Sequence, residues 1–389
     1  MFEAITNRII STEDFMLPLP LRVIATAALI SLPLQAEEGF KSIFNGKDLT
    51  GWDGDPLHWS AVEGVIRGDS TKNRAKSNTF IVWREGKLKN FELKLKYRIH
   101  SGNNSGVQYR SKETQKWVVS GYQAEVENRL GKTGFLYHER GRGWLVDVGD
   151  FMEIAADSKK LIVGEVSDRD TIMKAPYHAD KDWNAYHFIC RGNHVIHYLN
   201  GYQTVELIDH EKARRCMEGV LALQVHGGSP MTVDFKDIEI NDLTENYGEA
   251  KRLTGTDNLE GWTFSSDAAK QAFSVVKNEG PATKRGRRAS NREVRISGSL
   301  KSAGGEGTAN PANASEQFIL RFQKNDSAVD GIFKTVRGWS AHEVSLINGK
   351  VSYKINGVAT DAKPPIAQGK IAFPAGSGEY RNIVLLPIE

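Results

Sequence analysis

Residues Phe91–Ile99 read FELKLKYRI. Phe91, Leu93, Leu95, Tyr97 and Ile99 take every second position, with Glu92, Lys94, Lys96 and Arg98 between them. Side chains alternate across a strand, so the stretch predicts one apolar face turned to a core and one charged face turned outward. Runs of similar length surround it: Trp59–Gly68, Thr79–Trp83, Gly106–Ser111, Tyr122–Glu127, Thr133–Tyr137, Ala185–Arg191, Val195–Leu199, Gln203–Leu207, Gly219–Val225 and Thr232–Ile240. They are rich in β-branched and aromatic residues and broken by Gly, Asn and Asp. That pattern predicts an all-β antiparallel sandwich. Asn200-Gly201, between HVIHYL and YQTVEL, predicts a tight hairpin.

A second copy follows the first. Leu49-Thr50-Gly51-Trp52 matches Leu259-Glu260-Gly261-Trp262, and Phe235-Lys236-Asp237-Ile238 resembles Tyr380-Arg381-Asn382-Ile383. One offset of 156 residues relates both Trp183 to Trp339 and Asn200 to Asn356. This predicts two tandem β-sandwiches, 37–246 and 251–389. The copies are unequal. Trp52 and Trp183 lie 131 residues apart, whereas Trp262 and Trp339 lie 77 apart. The second copy also has Pro374 and Gly376 where the first has Gln224 and His226. Framework positions recur and polar candidates do not, which points to function in the first copy and an accessory second one.

Composition narrows the class. The 389 residues suit two or three domains, and 40% hydrophobic with 25% charged content is ordinary for a globular chain. A net charge of +3, with both signs interspersed, excludes nucleic acid as the expected partner. Lys284-Arg285-Gly286-Arg287-Arg288 reads as an exposed hairpin tip. Residues 16–36, MLPLPLRVIATAALISLPLQA, carry Arg22, an apolar run Val23–Leu32 and small residues up to Ala36. This is the pattern of a secretory signal cleaved after Ala36, with Met16 as the true start, so the protein is expected in the periplasm or outside the cell with no membrane span after cleavage. Cys190 and Cys216 are too few for a disulfide framework, although export would permit one bridge.

The candidate site lies within Ser120–Gly143, SGYQAEVENRLGKTGFLYHERGRG, inside the interval that the second copy shortens. Gln123, Glu125 and Glu127 alternate and so share one strand face, and Glu139 follows a Gly-rich turn. On a concave sheet open to solvent this acidic stripe would face a sugar; otherwise it is a solvated strand. His194-x-x-His197 would put its two rings on opposite faces, which speaks against a shared metal.

Several ordered blocks resemble the 3-keto-disaccharide hydrolase domain family, DUF1080: FNGKDLTGW at 44–52, NSGVQYRS at 104–111, GYQAEVEN at 121–128, TGFLY at 133–137, DWNAYHFICRGNHVIHYLNG at 182–201 and GVLALQVHGGSPMTVDFKDIEI at 219–240. The resemblance covers about 200 residues, 39 to 243. It implies a concanavalin A-like jelly roll, repeated in degenerate form, that cleaves glycosides whose sugar carries a ketone at C3. The ketone acidifies the hydrogen at C2; a base removes it, the enediolate expels the aglycone oxygen, and water adds. Such chemistry needs a base, an acid and a stabiliser for the oxyanion. Glu125, Glu127 and Glu139 are the candidates for base and acid. His226, Arg110 and Arg140 are candidates for polarising the ketone or binding hydroxyls. Gln123 and Gln224 suit sugar hydroxyls, and Tyr109, Tyr137 and Trp144 suit stacking on a ring.

No motif demands a cofactor, and a divalent metal held by Glu125, Glu139 and His226 across strands stays an alternative. Ordinary glycoside hydrolysis also uses two carboxylates, but jelly-roll glucanases carry E-x-D-x-E where this chain begins with Gln123. Two readings stand: an exported glycoside hydrolase, and a carbohydrate-binding module without catalysis. The partner in both is a glycan.

Overall fold

The computed structural model describes residues 39–100, 104–127, 133–168, 172, 182–253, 259–260, 262–277, 294–295, 298–302, 308–311, 317–326, 331–335, 338–367, 370–374 and 378–389. The secretory-signal reading and the basic run at 284–288 lie outside the described residues. From Glu38 onward the chain is one compact unit.

Its first part is a sandwich of two sheets. An 11-stranded sheet runs in the order Val294–Arg295, Lys160–Glu165, Asp150–Ile154, Tyr202–Asp209, His194–Leu199, Asn184–Arg191, Phe91–His100, Thr232–Asp242, Val65–Asp69 and Trp59–Val62, with Lys41–Ser42 added beside Thr232–Asp242. A 7-stranded sheet faces it: Gly143–Val146, Leu136–Glu139, Val118–Glu127, Asn104–Gln115, Val220–Val225, Thr79–Trp83 and Trp52–Asp53. The period-two reading of Phe91–Ile99 holds, for Phe91, Leu93, Leu95, Tyr97 and Ile99 are all buried in the core between the sheets. At the predicted hairpin both central residues have positive φ, Asn200 at 51° and Gly201 at 86°. That combination is a type I′ turn, whose twist matches the flanking strands. His194 and His197 face apart as expected. His194 pairs with Glu206 at 2.8 Å, while His197 meets the Tyr109 hydroxyl at 2.6 Å inside the core.

The second part repeats the framework bond by bond. Trp52 Nε1 donates to the Ile43 carbonyl at 2.8 Å, and Trp262 Nε1 donates to the Leu253 carbonyl, also nine residues back, at 3.2 Å. The Asn200 side-chain oxygen accepts from the Ala185 amide at 2.8 Å, as that of Asn356 does from Ala341 at 2.8 Å. Asp237 and Asn382 both adopt positive φ, 50° and 53°. Lys236 lies over the Trp183 ring, and Arg381 over Trp339. What differs is the sheet that carries the candidate site. An 8-stranded sheet here faces a 3-stranded one, Trp262–Phe264, Thr308–Pro311 and Phe373–Pro374.

The two parts meet through a mixed interface. Phe151, Val163, Val166 and Ile208 pack with Ile319, Val384 and Leu386. Beside this cluster Glu343 accepts from Arg191 at 2.7 and 3.1 Å, and Arg321 donates to the Tyr198 hydroxyl at 2.8 Å. The Tyr198 ring stacks on Phe333 with centroids 3.7 Å apart. Burial alone would raise the Glu343 carboxyl, but Arg191 and Arg321 overcome it and hold the group down at about 2. Removing the carboxylate leaves the buried Arg191 with the longer 3.4 Å contact to Glu92 and the buried Arg321 without its carboxylate partner, so Glu343→Ala is expected to cost about 3 kcal/mol. The sign with pH follows from a folded pKa below the unfolded value near 4.5. The contribution is whole above about pH 4.5 and fades as pH falls toward 2. Urea unfolding of wild type and Glu343→Gln at pH 7 and pH 3 should therefore show a stability gap that shrinks in acid; an unchanged gap would contradict this account.

Candidate functional site

The stripe strand Val118–Glu127 lies between Asn104–Gln115 and Leu136–Glu139 in the 7-stranded sheet. Tyr122, Ala124 and Val126 enter the core, so Gln123, Glu125 and Glu127 share the opposite face. On that face is a cleft of about 330 Å³ lined by Asn78, Asn104, Gln123, Glu125, Phe135, Tyr137, Glu139, Trp144, Gln224 and His226.

Glu125 is its most constrained member. Its carbonyl accepts from the Gly134 amide at 3.2 Å, from the Thr133 hydroxyl at 3.2 Å and from the Tyr186 hydroxyl. The residue is 4% exposed. One oxygen accepts from Asn104 Nδ2, the other from Gln123 Nε2 at 2.8 Å. Gln123 is locked in turn, its Oε1 accepting from Gln108 Nε2 and from Gln224 Nε2 at 3.1 Å. Gln108 Oε1 accepts from the Ser111 hydroxyl. Opposite Glu125 in the register stands Gly106, where a Cβ would lie 2.5 Å from Gln123 Cδ. The missing side chain lets Gln123 cross its neighbouring strand and reach Gln224.

Burial pushes the Glu125 carboxyl up to about 8, the charges of Glu127 and Glu139 adding to the effect and the Gln123 and Asn104 donors opposing it. At neutral pH the group is therefore mainly a neutral acid. His226 is exposed, and its Nδ1 lies 2.7 Å from the Gly227 carbonyl. A carbonyl only accepts, so Nδ1 carries a proton, and in the neutral tautomer that this bond selects Nε2 is the acceptor nitrogen. Across the cleft the Phe135 and Trp144 rings stack at 3.6 Å and 16°, and Trp144 pairs with Tyr137 across the sheet.

The turn carrying Glu139 is braced from below. Arg142 donates to Asp209 at 2.5 Å, to Glu211 at 3.0 Å and to the Tyr122 hydroxyl at 3.3 Å. Gly141 packs on the ring of His138, where a side chain would overlap it. Burial, with Arg142 alongside, lowers His138 to about 4, so it stays neutral. Cys216 Sγ lies 3.8 Å from His138 Nε2; Cys190 is in the core, and both are free thiols.

Seven of the residues expected at the site line this cleft: Gln123, Glu125, Tyr137, Glu139, Trp144, Gln224 and His226. Four do not. Tyr109 faces the other way, into the core against His197 and Phe188. Arg110 has φ 48° at a bulge between Tyr109 and Lys112, which turns its guanidinium to the Lys89 and Gly192 carbonyls, both at 2.7 Å. Arg140 is exposed in the turn with φ 51°, outside the lining. Glu127 is on the expected face but buried behind Glu125, which it influences by charge. Among the described residues no three His, Cys, Asp or Glu side chains form a metal-holding group, so Glu125, Glu139 and His226 share a cleft without converging as ligands. Asn78, Asn104 and Phe135 were not anticipated. Asn104 opens the NSGVQYRS block, and Phe135 sits in TGFLY; Asn78 had no signal.

A family model described as a 3-keto-alpha-glucoside-1,2-lyase-like domain matches residues 39–241. A curated relative from Bacteroides thetaiotaomicron, named a 3-keto-disaccharide hydrolase, is 31% identical over 93 residues. That match spans 22% of this chain and 31% of the relative's length. Among solved structures, a Parabacteroides distasonis protein provisionally assigned as a glycosyl hydrolase is 22% identical, covering 53% of this chain and 94% of its own, with a TM-score of 0.36. The carbohydrate-binding module CBM66 from Bacillus subtilis is 17% identical, covering 49% of this chain and 94% of its own, with a TM-score of 0.32. With more than half of its length matched by the family model, the chain belongs to the 3-keto-alpha-glucoside-1,2-lyase-like domain family.

Proposed function

We propose that the cleft is the active site of a glycoside-cleaving enzyme acting on 3-keto-glycosides, exported to the periplasm or beyond. The observation that carries the reading is one cleft holding a buried carboxyl group, Glu125, and an imidazole, His226, whose Nδ1 is engaged by the Gly227 carbonyl and whose Nε2 is left as the second ring nitrogen.

His226 Nε2 takes the C2 proton, and the C–H electron pair becomes the enediolate at C2, C3 and the ketone oxygen. The pair then moves into a C1–C2 double bond as the C1–O bond breaks, and Glu125 gives its proton to the departing oxygen. Glu125 is now a carboxylate, for which Asn104 and Gln123 already supply donors. Such prearranged donors favour the charge that develops during reaction. That half-reaction is the lyase step named for the family. In the second half, water adds at C1 with its proton going to Glu125, while His226 returns a proton to C2. The sum is hydrolysis. Tyr137 and Trp144 form the wall for the sugar ring, and Glu139 and Gln224 serve its hydroxyls. The glycan-binding module without catalysis is the competing reading.

The test uses an aryl 3-keto-glucoside and its unoxidised parent. Aglycone release is expected from the keto compound alone. Glu125→Gln should cut kcat/KM by about 10²–10⁴-fold, the usual worth of a positioned acid or base. Sugar binding with no release from either compound would favour the binding module.

The pH profile checks the assignment of Glu125 as the acid. Its required form is protonated, so kcat/KM should fall as pH rises through about 8. Glu127→Gln removes a charge that holds this value up, so the alkaline limb should move to lower pH. A rate that rises through pH 8 would make Glu125 the base instead.

A further inference from the structure

The loop bearing His226 is clamped by a segment with no role in the chemistry above, 74–78, which precedes strand Thr79–Trp83. Gly228 N–H donates to the Ala75 carbonyl at 2.9 Å, and Arg74 Nη2 donates to the Gly228 carbonyl. Gly227 N–H donates to Asn78 Oδ1 at 3.0 Å. Gly227 also lies so close to the chain that a Cβ there would overlap the Ser77 backbone. These contacts fix the peptide whose carbonyl accepts from His226 Nδ1. The other end of Asn78 reaches across the cleft, where Nδ2 donates to Glu139 Oε1 at 3.2 Å. Asn78 therefore joins the His226 loop to the carboxylate on the opposite rim. Only a side chain with one acceptor and one donor end can do both.

We propose that Asn78 is a positioning residue that holds the Gly227 carbonyl in line with His226 Nδ1, and so keeps Nε2 as the acceptor nitrogen facing substrate. The inference rests on the role given to His226 above, but its structural half stands apart from catalysis. Asn78→Ala removes both hydrogen bonds. Asn78→Asp keeps the acceptor for Gly227 and places a second carboxylate against Glu139. The two variants thus separate the His226 link from the Glu139 link.

Nitrogen-15 NMR of histidine-labelled full-length protein reads the tautomer directly, with His226→Ala identifying the signal. Wild type and Asn78→Asp should show Nδ1–H at His226, and Asn78→Ala should show a mixture of tautomers. Turnover of the aryl 3-keto-glucoside should fall about 10²-fold in Asn78→Ala, mainly in kcat, because a displaced catalytic group costs that order. Asn78→Asp should retain more activity than Asn78→Ala. An unchanged tautomer in Asn78→Ala, at whatever activity, overturns the proposal. If His226→Ala keeps full turnover, the function reading fails, and the NMR comparison still decides the positioning claim. Should Asn78→Ala fail to fold, Asn78→Asp carries the test, with loss of the Nδ1–H signature as the result against it.

Discussion

A carboxyl group buried on the cleft face of a sheet, with no cation beside it among the described residues, forces the rest of the site. Taking an ionised carboxylate out of water costs several kcal/mol unless donors replace its hydration. Glu125 meets this with two amide donors and a raised pKa. Amide donors soften the cost without cancelling the charge, so the group keeps a pKa within reach of working pH. Arginine would have pinned it as a carboxylate, as Arg191 and Arg321 do for Glu343. The same fold thus holds two buried glutamates with opposite shifts, and the partner alone decides which is structural and which can exchange a proton.

The amide chain behind Glu125 imposes constraints on neighbouring strands. Gln123 must lie flat across Asn104–Gln115, which excludes any side chain at residue 106. Gln108 and Gln224 must flank it, and Ser105 in turn holds the Gln224 carbonyl at 2.6 Å. These requirements fall on three adjacent strands, Val118–Glu127, Asn104–Gln115 and Val220–Val225, so the site exists only where they keep their register. The second part of the chain shows the converse. It retains the tryptophan, Asn-Gly and positive-φ positions that build a sandwich, yet among the described residues its facing sheet has three short strands. A sandwich can lose strands from one layer and still close a core around Phe318, Leu320, Phe373 and Leu385. A hydrogen-bond array strung over three adjacent strands cannot lose one and survive.

Much of this was legible in the sequence because a period of two has one physical meaning. Phe91–Ile99 and the stripe from Gln123 to Glu127 each declared their faces, and duplication separated framework from candidates. Register and bulges were not legible. Tyr109 looked like a ring for stacking, but its pairing with Tyr122 fixes it to the core side. Arg110 should alternate onto the site face, and its left-handed backbone at the bulge sends it the other way. Asn78 was invisible for a different reason. It belongs to no strand, and its importance comes from meeting Gly227 and Glu139, 149 and 61 residues away.

On the proposed mechanism, lyase and hydrolase activity are one reaction stopped at different points. Elimination needs only the acid and base of the cleft, whereas hydrolysis also needs water at C1 while the unsaturated sugar is still bound. Phe135 and Trp144 stack against each other on one wall and offer little to a water molecule. The polar wall of Glu139, Asn78 and His226 is the side on which water can be held. On the proposed mechanism, which product leaves turns on whether that wall hydrates C1 before the sugar departs. Asn78 and Glu139, bonded to each other at 3.2 Å, tie that wall together.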